Sequence, residues 1–597
     1  MKRLFAALAL AAAPIALASP ASAAPADDLA ALLRDAWAYT LSQAPTYATS
    51  LGVRDYDNQI GDPSIAAMDA QAAKAAEFLR RLDAIPTDSL GEQERVSAAI
   101  LRRELQSTIA GNRFGQRLML FSTYSGWHQG FAGMADNLPF ATGADYRSYL
   151  ARIAQYPAYN DEALRVSQMG VDQGYVLPCA VLGNVERSIT GVIAEDPTKS
   201  RYYAPFLRPR PRDVSEAEWA AMQAEAQGVI RDRINPAYRR HADWFRTSYL
   251  PKCSQAIGVS AQPGGAEYYA FRAREMTTTD MTPEQIHQLG LSEVARIRAE
   301  METVARKAGF ATREAYIEHL RTDPQYYAKT PEELIAAASA EAKRLDGLMP
   351  QYFGRLPRLP YGVRAIPAET AEGTTTAYYN SGSPQSGIAG FYYVNTSKLD
   401  QRPLFELPAL TAHEAVPGHH HQIALNQELD LPDFRRFGAS ATAFVEGWGL
   451  YAERLGIEMG IYDTPAENMG RLSYEMWRAT RLVVDTGMHA KGWTKERAVA
   501  FMRDNTALSD ANIDAEVNRY ISWPGQALAY KIGELKIREL RARAESALGS
   551  RFDIRAFHDV VLGSGAVPLS VLEEQVDRWI RRETAIMNDA RPAPVVS

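Results

Sequence analysis

Cysteine is nearly absent: the 597-residue chain has two, Cys179 and Cys253. Two sulfurs remote from every histidine cluster make a poor zinc set, so a cysteine-based metal site is excluded, and either one disulfide or two separately buried thiols remains. A basic excess is missing too. Charged residues make up 23% with a formal net charge of -6, which argues against nucleic acid or an anionic membrane surface as partner. There is no internal repeat, and no low-complexity tract longer than the first 23 residues. What is present is 46% hydrophobic residues over a long chain, enough to bury a large globular core.

The opening segment has Lys2 and Arg3, an apolar run from Leu4 to about Leu17, and the small-residue pattern Ala21-Ser22-Ala23. It reads as a secretory signal covering residues 1–23, because the run is shorter than the ~20 residues a membrane span needs. No cysteine follows it, so a lipid anchor has no attachment point, and an exported, periplasmic protein without a membrane anchor is expected. Beyond it, apolar residues recur three and four apart, the helical period. In "TTTDMTPEQIHQLGLSEVARIRAEMETVARKAGF", Thr282 caps, Pro283 takes the first turn and Gln285 completes a capping box, which predicts a long helix over about 283–307. Two proline-rich breaks interrupt the pattern, and after the second "EGTTTAYYN" and "GIAGFYYVNTS" flank a turn-rich "SGSPQS", predicting a β hairpin or small sheet. The fold class is therefore mainly α: a helical lobe over 24–360, then 361–597 holding the β element and a second helical lobe, the two lobes forming one compact unit.

The chemistry concentrates in "TAHEAVPGHHHQ", residues 411–422, which holds four of the ten histidines. A hydrolytic zinc site wants three protein ligands, an open position for water and a carboxylate beside that water. His413 and Glu414 supply a ligand and a base. The i+4 place that a second ligand would take on a regular helix belongs to Pro417, which has no donor atom. Histidines fall instead at i+6, i+7 and i+8, and at ~1.5 Å rise per residue His413 and His420 would stand about 10 Å apart, too far for two ~2.1 Å bonds to one ion. Pro417-Gly418 is a helix-breaking pair. An interruption there would carry His419 to the i+4 place, with His420 as the alternative, and a solvated histidine-rich turn is the bland reading. In "FVEGWGLYAERLG", Glu446 and Glu453 lie seven apart on one helical face among bulky apolar residues, where carboxylates need a metal or a partner. Two surface glutamates would be the bland counterpart.

Taken with "RLVVDTGMHAKGW", "EVNRYISWPGQALAYKIGELKI" and "FDIRAFHDVVLGSGAVPLSVLE", these segments resemble the bacterial family filed as domain of unknown function 885, which is grouped with gluzincin-type zinc metallopeptidases. The resemblance runs from about residue 30 to the C-terminus. It implies a zincin-like helical peptidase holding one zinc ion, with His413 and Glu446 as ligands beside the His419 of the interruption, Glu414 as general base and Glu453 supporting from behind. Helical relatives such as angiotensin-converting enzyme and thimet oligopeptidase place a tyrosine on the tetrahedral intermediate, and the Arg-Tyr of "NRYISWPGQ" resembles that setting, which points to Tyr520.

Several further residues are candidates for supporting a ligand or contacting substrate. Asp485 and His489 share a helical face, against which stands a purely structural hydrogen bond. Arg519, Gln526 and Tyr530 reach one cleft if Pro524-Gly525 forms a turn. The strand "GFYYVN" ending at Asn395 offers an edge for strand addition of a peptide, or a structural hairpin. The remaining histidines, 128, 241, 287, 319 and 558, are isolated. The expected function is an exported zinc peptidase cleaving short peptides in a cleft between two lobes. Its alternatives are a peptide- or metal-binding protein without turnover, and a zinc amidohydrolase acting on a non-peptide amide.

Overall fold

The computed structural model of the chain describes residues 24–589 except 124, 368–370, 372–374, 385–386 and 439–440. The expected signal segment lies outside the described residues, as do Glu372, Gly373 and Thr374 at the start of the expected β region. The elements around the site are, in chain order, α1 (Pro283–Lys307), α2 (Pro331–Tyr352), β1 (Tyr361–Ala365), β2 (Ala377–Asn380), β3 (Gly390–Val394), α3 (Leu407–Glu414), α4 (His419–Glu428), α5 (Thr442–Met459), α6 (Pro465–Ala490), α7 (Asp510–Ser522) and α8 (Ala529–Leu548). Helix dominates, as the periodicity requires. Among the described residues no helix is long and apolar enough to cross a membrane.

The capping box forms as expected. The Gln285 N–H donates to Thr282 Oγ1 at 3.2 Å and Gln285 Oε1 accepts from the Thr282 N–H at 2.8 Å, satisfying two of the donors a helix start leaves free. From there α1 buries Ile286, Gly290, Val294, Ile297, Met301 and Val304 at helical spacing along α6. At their crossing a Cβ on Gly290 would stand 2.7 Å from the Leu482 side chain. Helix α6 is buried on every face from Met469 to His489. Its arginines, glutamate, aspartate and histidine must therefore find partners inside the protein, and those partnerships organise the site.

Helices α5 and α8 cross at glycines. A Cβ on Gly447 would meet the Gly533 backbone at 2.5 Å, and one on Gly533 would meet the Ala443 carbonyl oxygen at 1.8 Å. The backbones touch there, and no side chain fits between them.

The β element is a three-stranded sheet in the order β1-β3-β2, with β1 parallel and β2 antiparallel to β3. Strand β1 lies inside the stretch read from its prolines as a break. Because β3 is central and paired on both sides, the expectation that "GFYYVN" offers a free edge is corrected: the edge next to the metal helix α3 is β2.

The boundary expected at residue 360 is also redrawn by the packing. Residues 121–249 form a core of their own, rich in Tyr, Phe and Trp, and make a smaller lobe. The helices over 25–111 share a core with α5, α8 and the C-terminal helices, while α1, the sheet and α6 share another. The first of these two cores is built from both ends of the chain. Cys179 and Cys253 are joined in a disulfide within the smaller lobe.

Candidate metal centre

Helix α3 stops at Glu414. Ala415 still closes a helical bond to the Thr411 carbonyl, and then the backbone leaves the helix through Ala415 (ψ -112), a cis Val416–Pro417 bond and Gly418 (ψ -127), to restart at His419. The His420 N–H spans the interruption to the Ala415 carbonyl at 3.1 Å. Two residues of α5 shape this loop. Trp448 Nε1–H donates to the Pro417 carbonyl at 2.8 Å. Gly449 leaves room for the imidazole of His413, since a Cβ there would lie 2.7 Å from His413 Cε1. Gly418 is required for the same kind of reason: its Cβ would fall 1.9 Å from the His413 carbonyl oxygen.

The interruption brings His413, His419 and Glu446 together, with one donor atom from each lying within 4.8 Å of the others. Glu446 Oε2 is 3.8 Å from His413 Nε2 and 3.5 Å from His419 Nε2, and the two rings stand nearly perpendicular at 86°. A tetrahedral ion with ~2.1 Å bonds separates its ligand atoms by roughly 3.4 Å, so these donors fit one zinc ion with little adjustment. Two imidazoles and one carboxylate are also the donor types zinc favours in hydrolytic sites. Glu453 Oε1 accepts from His413 Nδ1 at 2.8 Å and also faces Arg478 Nη2 at 3.2 Å. That contact fixes the ring and leaves Nε2 for the ion. Burial pulls the His413 pKa down, but Glu446 and Glu453 hold it up at about 9. Burial likewise pushes Glu446 up, and the two imidazoles hold it well below the usual carboxylate range. Glu414, next to His413, forms no hydrogen bond or ion pair among the described residues.

The other histidines of the cluster turn away. His420 Nδ1 meets the Tyr379 hydroxyl at 3.0 Å and its ring packs on Tyr361, and burial lowers its pKa to about 4. His421 is buried against Phe353.

Tyr520 requires a correction. Its hydroxyl donates to Glu516 Oε2 at 2.7 Å and accepts from Arg481 Nε at 2.9 Å and Trp477 Nε1 at 3.1 Å. Its single proton is thus spent inside the protein and is not available to an oxyanion.

Asp485 and His489 are structural rather than substrate-facing, and they do not bond to each other. Asp485 accepts from the Tyr269 hydroxyl at 2.6 Å and the Gly525 N–H at 3.2 Å, and burial pushes its pKa up to about 7. His489 accepts the Val259 N–H on Nδ1 and faces the Tyr520 carbonyl through Nε2, which ties α6 to the short turn that opens at Val259 and to α7. Asn395 is fully buried, bridging the Ala371 and Thr375 carbonyls and the Ser397 N–H, so it braces a loop and does not meet substrate.

The Pro524-Gly525 turn forms, with Gly525 at φ +82, and it brings Arg519, Gln526 and Tyr530 together. Arg519 Nη2 donates to Gln526 Oε1 at 2.7 Å and to the Tyr530 hydroxyl at 3.1 Å. Four further residues, none singled out from the sequence, shape the site: Trp448 and Gly449 by holding the loop and the ring, Arg478 behind Glu453, and Arg481 behind Arg519. For α6, the usable signal is a row of ionisable residues three and four apart in a helix otherwise apolar enough to be central.

Fold and site together define a mainly helical protein with a two-histidine, one-glutamate candidate metal centre at a helix interruption. The chain belongs to a family described as bacterial proteins of unknown function, DUF885, whose model matches residues 45–576. No curated protein matches it in sequence. Among solved structures it is similar to one titled "putative lipoprotein" from Colwellia psychrerythraea, at 27% identity and a TM-score of 0.85, over 94% of this chain and 100% of that one. A second, from Shewanella oneidensis and also titled a "putative lipoprotein of unknown function", shares the fold at 20% identity and a TM-score of 0.73, over 93% and 99%. An M32 carboxypeptidase from Deinococcus radiodurans R1, at 13% identity and a TM-score of 0.37 over 94% and 97%, is too remote to bear on function.

Proposed function

We propose that the protein is an exported zinc-dependent peptidase that hydrolyses short peptides. The observation that carries this reading is the pairing of a zinc-compatible donor set with an adjacent carboxylate, Glu414, that has no structural partner. A zinc ion held by His413, His419 and Glu446 would polarise the scissile carbonyl and lower the pKa of water toward ~7. Glu414 accepts the proton of the attacking water and passes it to the leaving amine. The oxyanion donor is reassigned from Tyr520 to Tyr530, whose hydroxyl accepts from Arg519 and whose own proton has no acceptor among the described residues. Tyr530 lies one turn before Gly533, the residue in backbone contact with Gly447 beside Glu446. Strand β2, whose outer edge pairs with no strand among the described residues, can align an extended peptide along α3 by strand addition.

Export rests on the opening segment and on the titles of the structural neighbours.

The test is Glu414→Gln assayed on a peptide library beside the unchanged protein. The expected result is a drop in kcat of about 10²- to 10⁴-fold with one zinc per chain retained by atomic emission. Peptide binding without cleavage by the unchanged, zinc-loaded protein would instead support a binding protein, and cleavage only of non-peptide amides would support an amidohydrolase.

A further inference from the structure

Beside the metal group lies a buried cluster whose charges do not balance. Arg481, on α6, and Arg519, on α7, share a single carboxylate, Glu516: Arg481 Nη2 is 2.9 Å from Oε2, and Arg519 Nη1 is 3.5 Å from Oε1. The other acceptors around them, Tyr520, Tyr530 and Gln526, are neutral. Two guanidinium charges against one carboxylate leave one positive charge in excess, and buried charge of that kind calls for a counter-ion. Arg481 is 2% exposed and its Nη1 has no hydrogen-bond partner. Arg519 is the member that reaches outward, with 23% of its side chain exposed. Gln526 and Tyr530 hold its Nη2 by neutral contacts that leave the charge unspent, while the closer salt bridge of Glu516 goes to Arg481.

Two helices tie this cluster to the metal group. On α6, Arg481 is one turn from Arg478, which contacts the Glu453 behind His413. On α8, Tyr530 is one turn from the Gly533–Gly447 contact beside Glu446. The helices that brace the metal group, α6 and α8, therefore also carry Arg481 and Tyr530, which pack against Arg519.

We propose that Arg519, backed by Arg481, binds a carboxylate of the substrate and so selects peptides by a negative charge placed close after the scissile bond. A guanidinium held in one orientation presents its fork to a carboxylate at little entropic cost. The proposal rests on the peptidase reading for its substrate class, but its test does not require turnover. The carboxylate can be a C-terminal group or an acidic side chain, and the probes separate the two.

Zinc-loaded Glu414→Gln protein is titrated calorimetrically with N-acetyl-tetraalanine as free acid, the same peptide as its amide, and an N-acetylated alanine peptide amide carrying one glutamate. The free acid is expected to bind at least ~10-fold tighter than the neutral amide, the scale of one charge-assisted contact. Tight binding of the glutamate peptide as well would assign the site to side-chain carboxylates in addition. Adding Arg519→Met is expected to remove the acid-over-amide preference, and Arg519→Lys to restore part of it.

Equal binding of all three peptides, binding of none, or an equal loss for all of them in Arg519→Met overturns the proposal. The comparison of acid with amide needs no change at Arg519, so misfolding of that variant does not spoil it. If the active enzyme cleaves acid and amide alike, dependent on Glu414, the peptidase reading survives and the carboxylate site falls. A persisting acid preference in binding, with no peptide cleaved, gives the reverse.

Discussion

Glu446, His413 and His419 differ from the histidines that follow them in what lies behind each ring. His413 is held by Glu453, whereas His420 and His421 are enclosed by Tyr379, Tyr361 and Phe353. His419→Ala is therefore expected to abolish stoichiometric zinc binding and His420→Ala to preserve it, both read by atomic emission after dialysis. Glu453→Gln should keep the zinc but weaken it about 10- to 100-fold, the usual effect of losing a ring-orienting partner, as measured by competition with a chromophoric chelator. Most of this group is legible in the chain, because the donor types and the proline at i+4 leave few arrangements that place three donors on one ion. Tyr520 shows where that legibility ends. Adjacent Arg519 and Tyr520 both reach Glu516, but Tyr520 turns into Arg481 of α6 while Arg519 stays partly exposed, and nothing in the spacing says which tyrosine keeps its proton free.

At the scale of elements, the decisive one is the four-residue interruption between α3 and α4. Gly418→Ala would drive a methyl group into the backbone carbonyl of His413, a contact no side-chain rotation relieves. A loss of several kcal/mol of stability, or of zinc affinity, is expected, measured by thermal unfolding with and without chelator. The long helix α1 was fully readable from its capping box and period. Strand β1 was not, since it sits between prolines and its pairing with β3 is parallel and distant in sequence, an arrangement that leaves no local turn signal. For the same reason β3 reads as a hairpin arm although it is the central strand.

For the whole molecule, the helices over 25–111 have no complete core without the C-terminal ones, so the hydrophobic packing runs across the proline-rich stretch near residue 360. The smaller lobe has its own core and its own covalent tie. The disulfide closes a separation of 74 residues, and removing such a constraint from the unfolded chain typically costs about 2–5 kcal/mol. The Cys179→Ser, Cys253→Ser double variant is expected to melt at a lower temperature, with the loss confined to residues 121–253 in hydrogen exchange. Zinc binding should be unchanged, because neither cysteine lies in a core shared with the metal group.

The eight residues Glu446 to Glu453 act as a mould for the opposite segment. Glu446 gives a ligand, Trp448 pins the loop, Gly449 clears a seat for the first imidazole and Glu453 locks it. Grafting the histidine stretch onto another scaffold would therefore transfer the side chains without their shape. A transplant needs both strips of sequence, cast against each other at the same helix separation, before it can be expected to hold an ion.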